Sequence, residues 1–438
     1  MMGLPFNFVG ESDERIVCIR FETASHPHKN LEILADGKVV SAFNKEKYQQ
    51  IFRAFCGFWD NNFPPKKLII NPIVTSYIHE LVEEIRNTYR LQELPLIQKW
   101  FWPNGKTHAI CISHDIDFLA RQEMVKVLKS KIKHIRLIKF FITRALDQIF
   151  KINTSENFGD NVERILKLEK KLDLQSTFFI FSNLKTYQET APVEGISNEL
   201  FLKLIRTLNR ASEVGVHGSM NSFKNIESLE NEKEDLELHF KDVRGIRQHR
   251  LNFIPPLTWR YQAQAGYKYD SSISHSEFFG FSAGLCHPYR PIDILQKQFI
   301  DILEIPLSFS DWTFLHYKLN LSRSFSVFNT LNSICQKYNG VLVVNFHNLY
   351  FNPTLFPDAY QFYKKTCEYI SKSNVWKPTL GQLYEWWIKR KQVELDVSYE
   401  RKLNIELKTD VPVENLCINV GRKEFIPLNL EREYRLTV

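Results

Sequence analysis

No two cysteines are spaced as a CxxC pair, and the seven present (Cys18, Cys56, Cys111, Cys286, Cys335, Cys367, Cys417) are scattered and odd in number. That pattern excludes a zinc ribbon and a disulfide framework, and it reads as reduced thiols. No Walker-type or GxGxxG loop occurs, so the common phosphate-cradling classes lack their signature. There is no internal repeat. No apolar run is long enough to span a bilayer. The first residues, Met1-Met2-Gly3-Leu4-Pro5, show no basic region followed by an apolar stretch, so the expectation is a cytoplasmic protein without a signal peptide.

What is present is a globular composition: 438 residues, 44% hydrophobic and 24% charged, enough for a large core and more than one domain. The 34 phenylalanines suit an aromatic core first and carbohydrate stacking second. A net charge of +7 is modest for this length. It leans toward anionic partners without a nucleic-acid signature.

Apolar periodicity divides the chain in three. Residues 1–103 alternate short strands and helices and show no cluster of catalytic residue types. Trp100-Phe101-Trp102-Pro103-Asn104-Gly105 marks a boundary, since Pro and Gly break the chain there. Residues 104–391 alternate seven buried strands with helices, which predicts a parallel barrel or open α/β sheet. Residues 392–438 alternate apolar and polar positions, the period of half-buried antiparallel strands, and predict a small β appendage. Within the middle region an insertion at about 122–152 contains a basic amphipathic helix over 124–150. A solvated helix packed on the barrel is its plainer reading, and peripheral contact with a membrane carrying a lipid-linked substrate is its functional one.

The polar residues of the middle region sit where its strands end. Ala109-Ile110-Cys111-Ile112-Ser113-His114-Asp115-Ile116-Asp117 is an apolar run closing on two carboxylates. Later strands end at His217, at Arg247 and His249, at Asp270 and at His347. In a parallel barrel these ends converge on one mouth, where such folds place chemistry. Each has a bland alternative: His217 and His347 as core histidines bonded to carbonyls, Arg247 as a helix cap, Asp270 as an N-cap beside two serines. Asp115 and Asp117 are hardest to explain structurally, because buried carboxylates need partners.

Taken in order, these motifs make the region from about 107 to 390 resemble the polysaccharide deacetylase family, which has a distorted (β/α) barrel of about seven strands. The carrying residues are Ser113-His114-Asp115-Ile116-Asp117, Thr177-Phe178-Phe179, Glu213-Val214-Gly215-Val216-His217-Gly218-Ser219, Arg247-Gln248-His249, Gly266 to Ser272, Asn345-Phe346-His347-Asn348 and Thr379-Leu380-Gly381-Gln382-Leu383. The resemblance implies Asp115 as general base, Asp117 and His217 as metal ligands and Arg247 as the group orienting Asp115. It implies Asp270 as support for the acid and His347 as general acid. It also implies a divalent metal, usually zinc, that polarises the acyl carbonyl.

One position departs from the family. Its second motif usually reads His-x-x-x-His, and here Asn221 stands four residues after His217. A neutral amide is a poor zinc ligand. Three outcomes follow: Asn221 or water completes the metal set, another histidine such as His249 completes it, or no metal binds. The implied function is removal of an acetyl group from an N- or O-acetylated sugar, with a lipid- or nucleotide-linked saccharide favoured as partner. The rivals are metal-independent opening of a cyclic amide and a non-catalytic glycan-binding scaffold.

Overall fold

The computed structural model describes residues 70–119, 159–190 and 198–437 apart from a few loop positions, and before residue 70 only Phe55 and the short strands Ile19–Phe21, Glu32–Ile33 and Val39–Ser41. The basic stretch 124–150 lies outside the described residues. The first long helix, α1 (Ile73–Leu91), buries Val74, Ile78, Leu81 and Ile85 on one face, at helical spacing.

Eight parallel strands form the central sheet: β1 (Ala109–Ile116), β2 (Ser176–Ile180), β3 (Glu213–Gly218), β4 (Gly245–Gln248), β5 (Tyr269–Asp270), β6 (Leu303–Glu304), β7 (Phe309–Ser310) and β8 (Val341–Asn345). Their spatial order is β6-β5-β4-β3-β2-β1-β8-β7. β6 and β7 are two residues each, with four residues of chain between them. This one run of chain serves both edges. Ile305 N donates to the Asp270 carbonyl at 2.8 Å, while Ser308 N donates to the Val343 carbonyl at 3.0 Å. The two edges are therefore contiguous in the chain, and the sheet curls into a distorted barrel in which all strand ends face one way.

Helices cover the outside of the sheet, as parallel crossovers require. They include α2 (Gly159–Lys171), α3 (Asn198–Leu208), α4 (Ile226–Glu237), α5 (Leu257–Gln264), α6 (Leu321–Tyr338), α7 (Pro357–Lys372) and α8 (Leu380–Gln392). Local chemistry fixes their ends. Asn320 caps α6, and Asn339 closes it in the left-handed region at φ 55°. Thr379 and Gln382 form a reciprocal capping box on α8.

The last five strands are β9 (Glu394–Tyr399), β10 (Leu403–Lys408), β11 (Val413–Val420), β12 (Glu424–Leu430) and β13 (Glu433–Thr437). They form two small sheets, β9-β10-β13 and β12-β11, and strand Ile97–Lys99 joins the second by pairing with β11. Ile405, Leu407, Leu416, Ile418 and Leu430 from this appendage share a core with Trp102, Trp386 and Trp387. The Trp102 ring lies 5.5 Å from that of Trp387, and its indole N–H donates to the Asn339 carbonyl.

Candidate active site

Strand parity decides which residues of β1 meet the barrel interior. Ser113 and Asp115 point inward. His114, between them, points to the helix layer, where Nε2 lies 3.0 Å from Glu169 Oε1 on α2. Inside, Arg247 on β4 is fully buried and reaches across the barrel. Its Nη1 lies 2.9 Å from Asp115 Oδ1, 2.8 Å from Ser113 Oγ and 2.8 Å from Asn345 Oδ1. Its guanidinium sits over the Phe179 ring at 4.5 Å. Asn345 Nδ2 donates to the second oxygen of Asp115 at 2.8 Å. Both Asp115 oxygens are thus held. Burial alone would raise the Asp115 carboxyl, but Arg247, His217 and His347 outweigh it and keep it below the usual range.

Asp117, just past β1, faces His217 at the end of β3 and His249 after β4. Its Oδ1 lies 3.1 Å from His217 Nε2 and 3.7 Å from His249 Nδ1, while those two ring nitrogens are 3.1 Å apart. The His217 Nδ1 atom is 2.9 Å from the Arg247 carbonyl, which can only accept. The ring's hydrogen therefore sits on Nδ1, and the Nε2 lone pair faces the other two groups. Asp117 Oδ1 is buried and receives no hydrogen bond of ordinary geometry.

Burial would raise Asp117, yet the three surrounding imidazoles hold it far below the carboxylate range. Burial would lower His217, yet Asp115 and Asp117 raise it. His249 is lowered to about 4, chiefly by burial, and keeps its lone pair. The cluster favours positive charge at its centre. One oxygen and two nitrogens, all within 4.8 Å of one another, are a donor set that fits a divalent cation with an open coordination position.

Asn221 is exposed at the start of the turn Ser222–Lys224, and its side chain makes no cap hydrogen bond there. The structure thus brings His249, from the next strand, to the two residues expected as ligands. Arg250, immediately after His249, sits in the left-handed region at φ 56°, within a short turn that follows β4.

His347, after β8, completes the mouth. Its Nε2 lies 3.9 Å from Asp115 Oδ2 and 3.8 Å from Asp117 Oδ2. On the far side, Nδ1 is 2.6 Å from Asp311 Oδ1, and the His347 backbone N–H donates to Asp311 Oδ2 at 2.7 Å. Burial would lower this imidazole, but Asp311 first, then Asp117 and Asp115, push it up to about 10. Asp311 was not singled out in the sequence, although it directly follows β7 as Asp117 follows β1.

The place expected of Asp270, beside the acid, is taken by Asp311. Asp270 is fully buried and turns toward α5, accepting from Gln262 Nε2 at 2.8 Å and from Ser272 Oγ at 2.6 Å. Asn345 is the other residue the sequence did not assign. It lay within a quoted motif, but only the register of β8 on β1, Asn345 opposite Ser113, shows that it reaches Asp115.

Comparison with protein-family models and with curated proteins gave no match. Among solved structures, the chain is similar to a probable polysaccharide deacetylase from Pseudomonas aeruginosa at 16% identity, over 65% of this chain and 92% of that one, with a TM-score of 0.43. It is similar to the allantoinase Puue at 16% identity, over 65% and 92% of the two chains, with a TM-score of 0.44. Agd3, described as a novel carbohydrate deacetylase, matches over 93% of this chain and 72% of that one at 8% identity, with a TM-score of 0.44. Such low identities and scores leave the functional reading to the residues themselves.

Proposed function

We propose that this chain is a metal-dependent carbohydrate deacetylase that removes an acetyl group from an N- or O-acetylated sugar in surface-glycan or polysaccharide metabolism. The observation that supports it best is the convergence at one barrel mouth of three parts. These are a carboxylate held at both oxygens, a buried carboxylate-imidazole-imidazole cluster, and a charged imidazole backed by its own carboxylate.

Asp117, His217 and His249 would hold the cation, zinc first among candidates, with His249 in the place expected of Asn221. A divalent ion bound there would polarise the acyl carbonyl and lower the pKa of a bound water. Asp115, ionised and oriented by Arg247 and Asn345, takes a proton from the attacking water. His347 enters charged, because Asp311 accepts from Nδ1 and leaves the Nε2 proton directed at the mouth. It delivers that proton to the leaving amine or alkoxide as the tetrahedral intermediate collapses. His347 Nε2, 3.9 Å from Asp115 and 3.8 Å from Asp117, puts acid, base and cation site around one small reaction volume.

Metal-independent opening of a cyclic amide was motivated by Asn221, and His249 removes that motive. The saccharide substrate is proposed in lipid- or nucleotide-linked form. Among the described residues no helix is long and apolar enough to cross a membrane. The test is acetate release from a panel of N- and O-acetylated saccharides by the zinc-loaded full chain. Release abolished by Asp115→Asn supports the reading. No release from any acylated sugar by the wild-type chain rejects it.

A further inference from the structure

Asp270 and Glu304 stand directly opposite each other on neighbouring strands β5 and β6. In-register residues of a parallel pair point to the same face, and both are fully buried against α5. Two ionised carboxylates cannot share such a place without a counter-charge. Arg247 meets the backbone and hydroxyl of Ser271, not these carboxyl groups.

Hydrogen-bond chemistry decides which group is ionised. Asp270 is met only by donors: Gln262 Nε2 at 2.8 Å and Ser272 Oγ at 2.6 Å on Oδ1, and Ser272 N at 2.8 Å on Oδ2. Gln262 turns its NH2 to Asp270 although this leaves its own oxygen unpartnered. Glu304 receives one good bond, from Trp259 Nε1 at 2.8 Å, and a long one from Ile273 N at 3.3 Å. The Tyr289 hydroxyl is also buried beside the pair without a partner. A carboxylate with three donors is an anion, and a carboxyl with fewer is the acid facing it.

We infer that Glu304 carries a proton that it donates to ionised Asp270, and that this pair is a positioning device for the active site, set behind it. The device acts through Ser271 and Ser272. Asp270 fixes both polar groups of Ser272, whose hydroxyl in turn accepts from Gln248 N at 2.8 Å, one residue before His249. Between them, the Ser271 carbonyl accepts from Arg247 Nε at 2.9 Å and its hydroxyl from Arg247 Nη2 at 3.0 Å. The residue that orients Asp115 and the segment that carries His249 are therefore anchored on one turn. Burial and the neighbouring carboxylate hold Glu304 well above the ordinary range, in agreement with this assignment. Asp270 and Glu304 are positioning residues, and touch neither substrate nor reacting atoms.

The inference rests on the deacetylase reading for its kinetic consequence only. Infrared difference spectra of the full chain, wild type minus Glu304→Gln, should show the carbonyl stretch of a protonated carboxyl at neutral pH. Because Gln keeps a donor facing Asp270, Glu304→Gln should retain kcat, KM and zinc affinity. Asp270→Asn and, as a smaller cut, Ser272→Ala should lower kcat about tenfold at unchanged KM, within the loss that an ångström of misplacement causes, and should weaken zinc binding. Absence of the infrared band overturns the inference, as does Glu304→Gln weakening zinc binding as much as Asp270→Asn. If the wild-type chain releases no acetate, the infrared band and the zinc titrations still decide it.

Discussion

Asp115 and Asp270 look alike in the sequence and are opposites in the structure. Each is a buried aspartate at the C-terminal end of a strand of the same parallel sheet, within two residues of a serine. Asp115 points into the barrel, where the Arg247 cation reaches it at 2.9 Å, and its carboxyl is held down. Asp270 points out to the helix layer, where it meets neutral donors and a second carboxyl, and burial raises it. Strand-end position places a carboxylate near a mouth, but the side of the strand on which it projects decides whether it enters. That side is set by a one-residue parity.

The largest expected effect tests this contrast directly. Asp115→Asn should lower kcat by about 10³-fold, in the range of losing a general base, whereas Asp270→Asn costs about tenfold through misplacement. Steady-state kinetics on any saccharide that the wild-type chain deacetylates would measure both. Equal losses would erase the distinction between a reacting and a positioning carboxylate.

Next in size is the cation that separates the two environments. Arg247→Met removes a fully buried guanidinium from between Asp115, Asn345 and Ser271. It leaves buried Asp115 without its paired guanidinium, a change of about 3–5 kcal/mol. Urea unfolding should register that loss. The double variant Arg247→Met, Asp115→Asn should recover part of it, because no unpaired charge remains.

A third expectation concerns the metal cluster. His249→Ala should weaken zinc binding by more than about a hundredfold, beyond what loss of an outer partner costs. Asn221→Ala should leave it unchanged, since Asn221 is exposed on the following turn. Titration with zinc under a competing chelator separates the two. The reverse result would return Asn221 to the ligand set.

How much of this was legible follows from the same geometry. The strands carrying Asp115, His217, Arg247 and His347 were readable because long apolar runs stop on polar residues. The parallel sheet followed from their alternation with helices. Residues that join the site through register were not readable. Asn345 meets Asp115 only because β8 lies beside β1, which no local pattern shows. His249 could be suspected from chemistry, but its approach to His217 depends on β4 lying next to β3 and on the tight turn at Arg250. Asp311 follows a strand of two residues, Phe309–Ser310, too short to leave a periodic signal. The basic insertion over 124–150 lies outside the described residues.

The smallest effect is the most diagnostic of role. Asp311 accepts from His347 Nδ1 at 2.6 Å and, through its other oxygen, from the His347 backbone at 2.7 Å. It is the largest influence raising that imidazole against burial. A general acid works in its protonated form, so activity should be lost as pH rises through the His347 pKa. Asp311→Asn keeps an oxygen for one of the two bonds and removes the charge. Because Asp115 and Asp117 still favour the imidazolium, the alkaline limb of kcat should move toward acid, by about one pH unit or more, with a modest loss at the optimum. A profile whose acid limb moves instead would make His347 the base. An unmoved alkaline limb would mean that another group supplies the proton. Either result would break the division of labour between the carboxylate that Arg247 holds ionised and the imidazole that Asp311 holds charged.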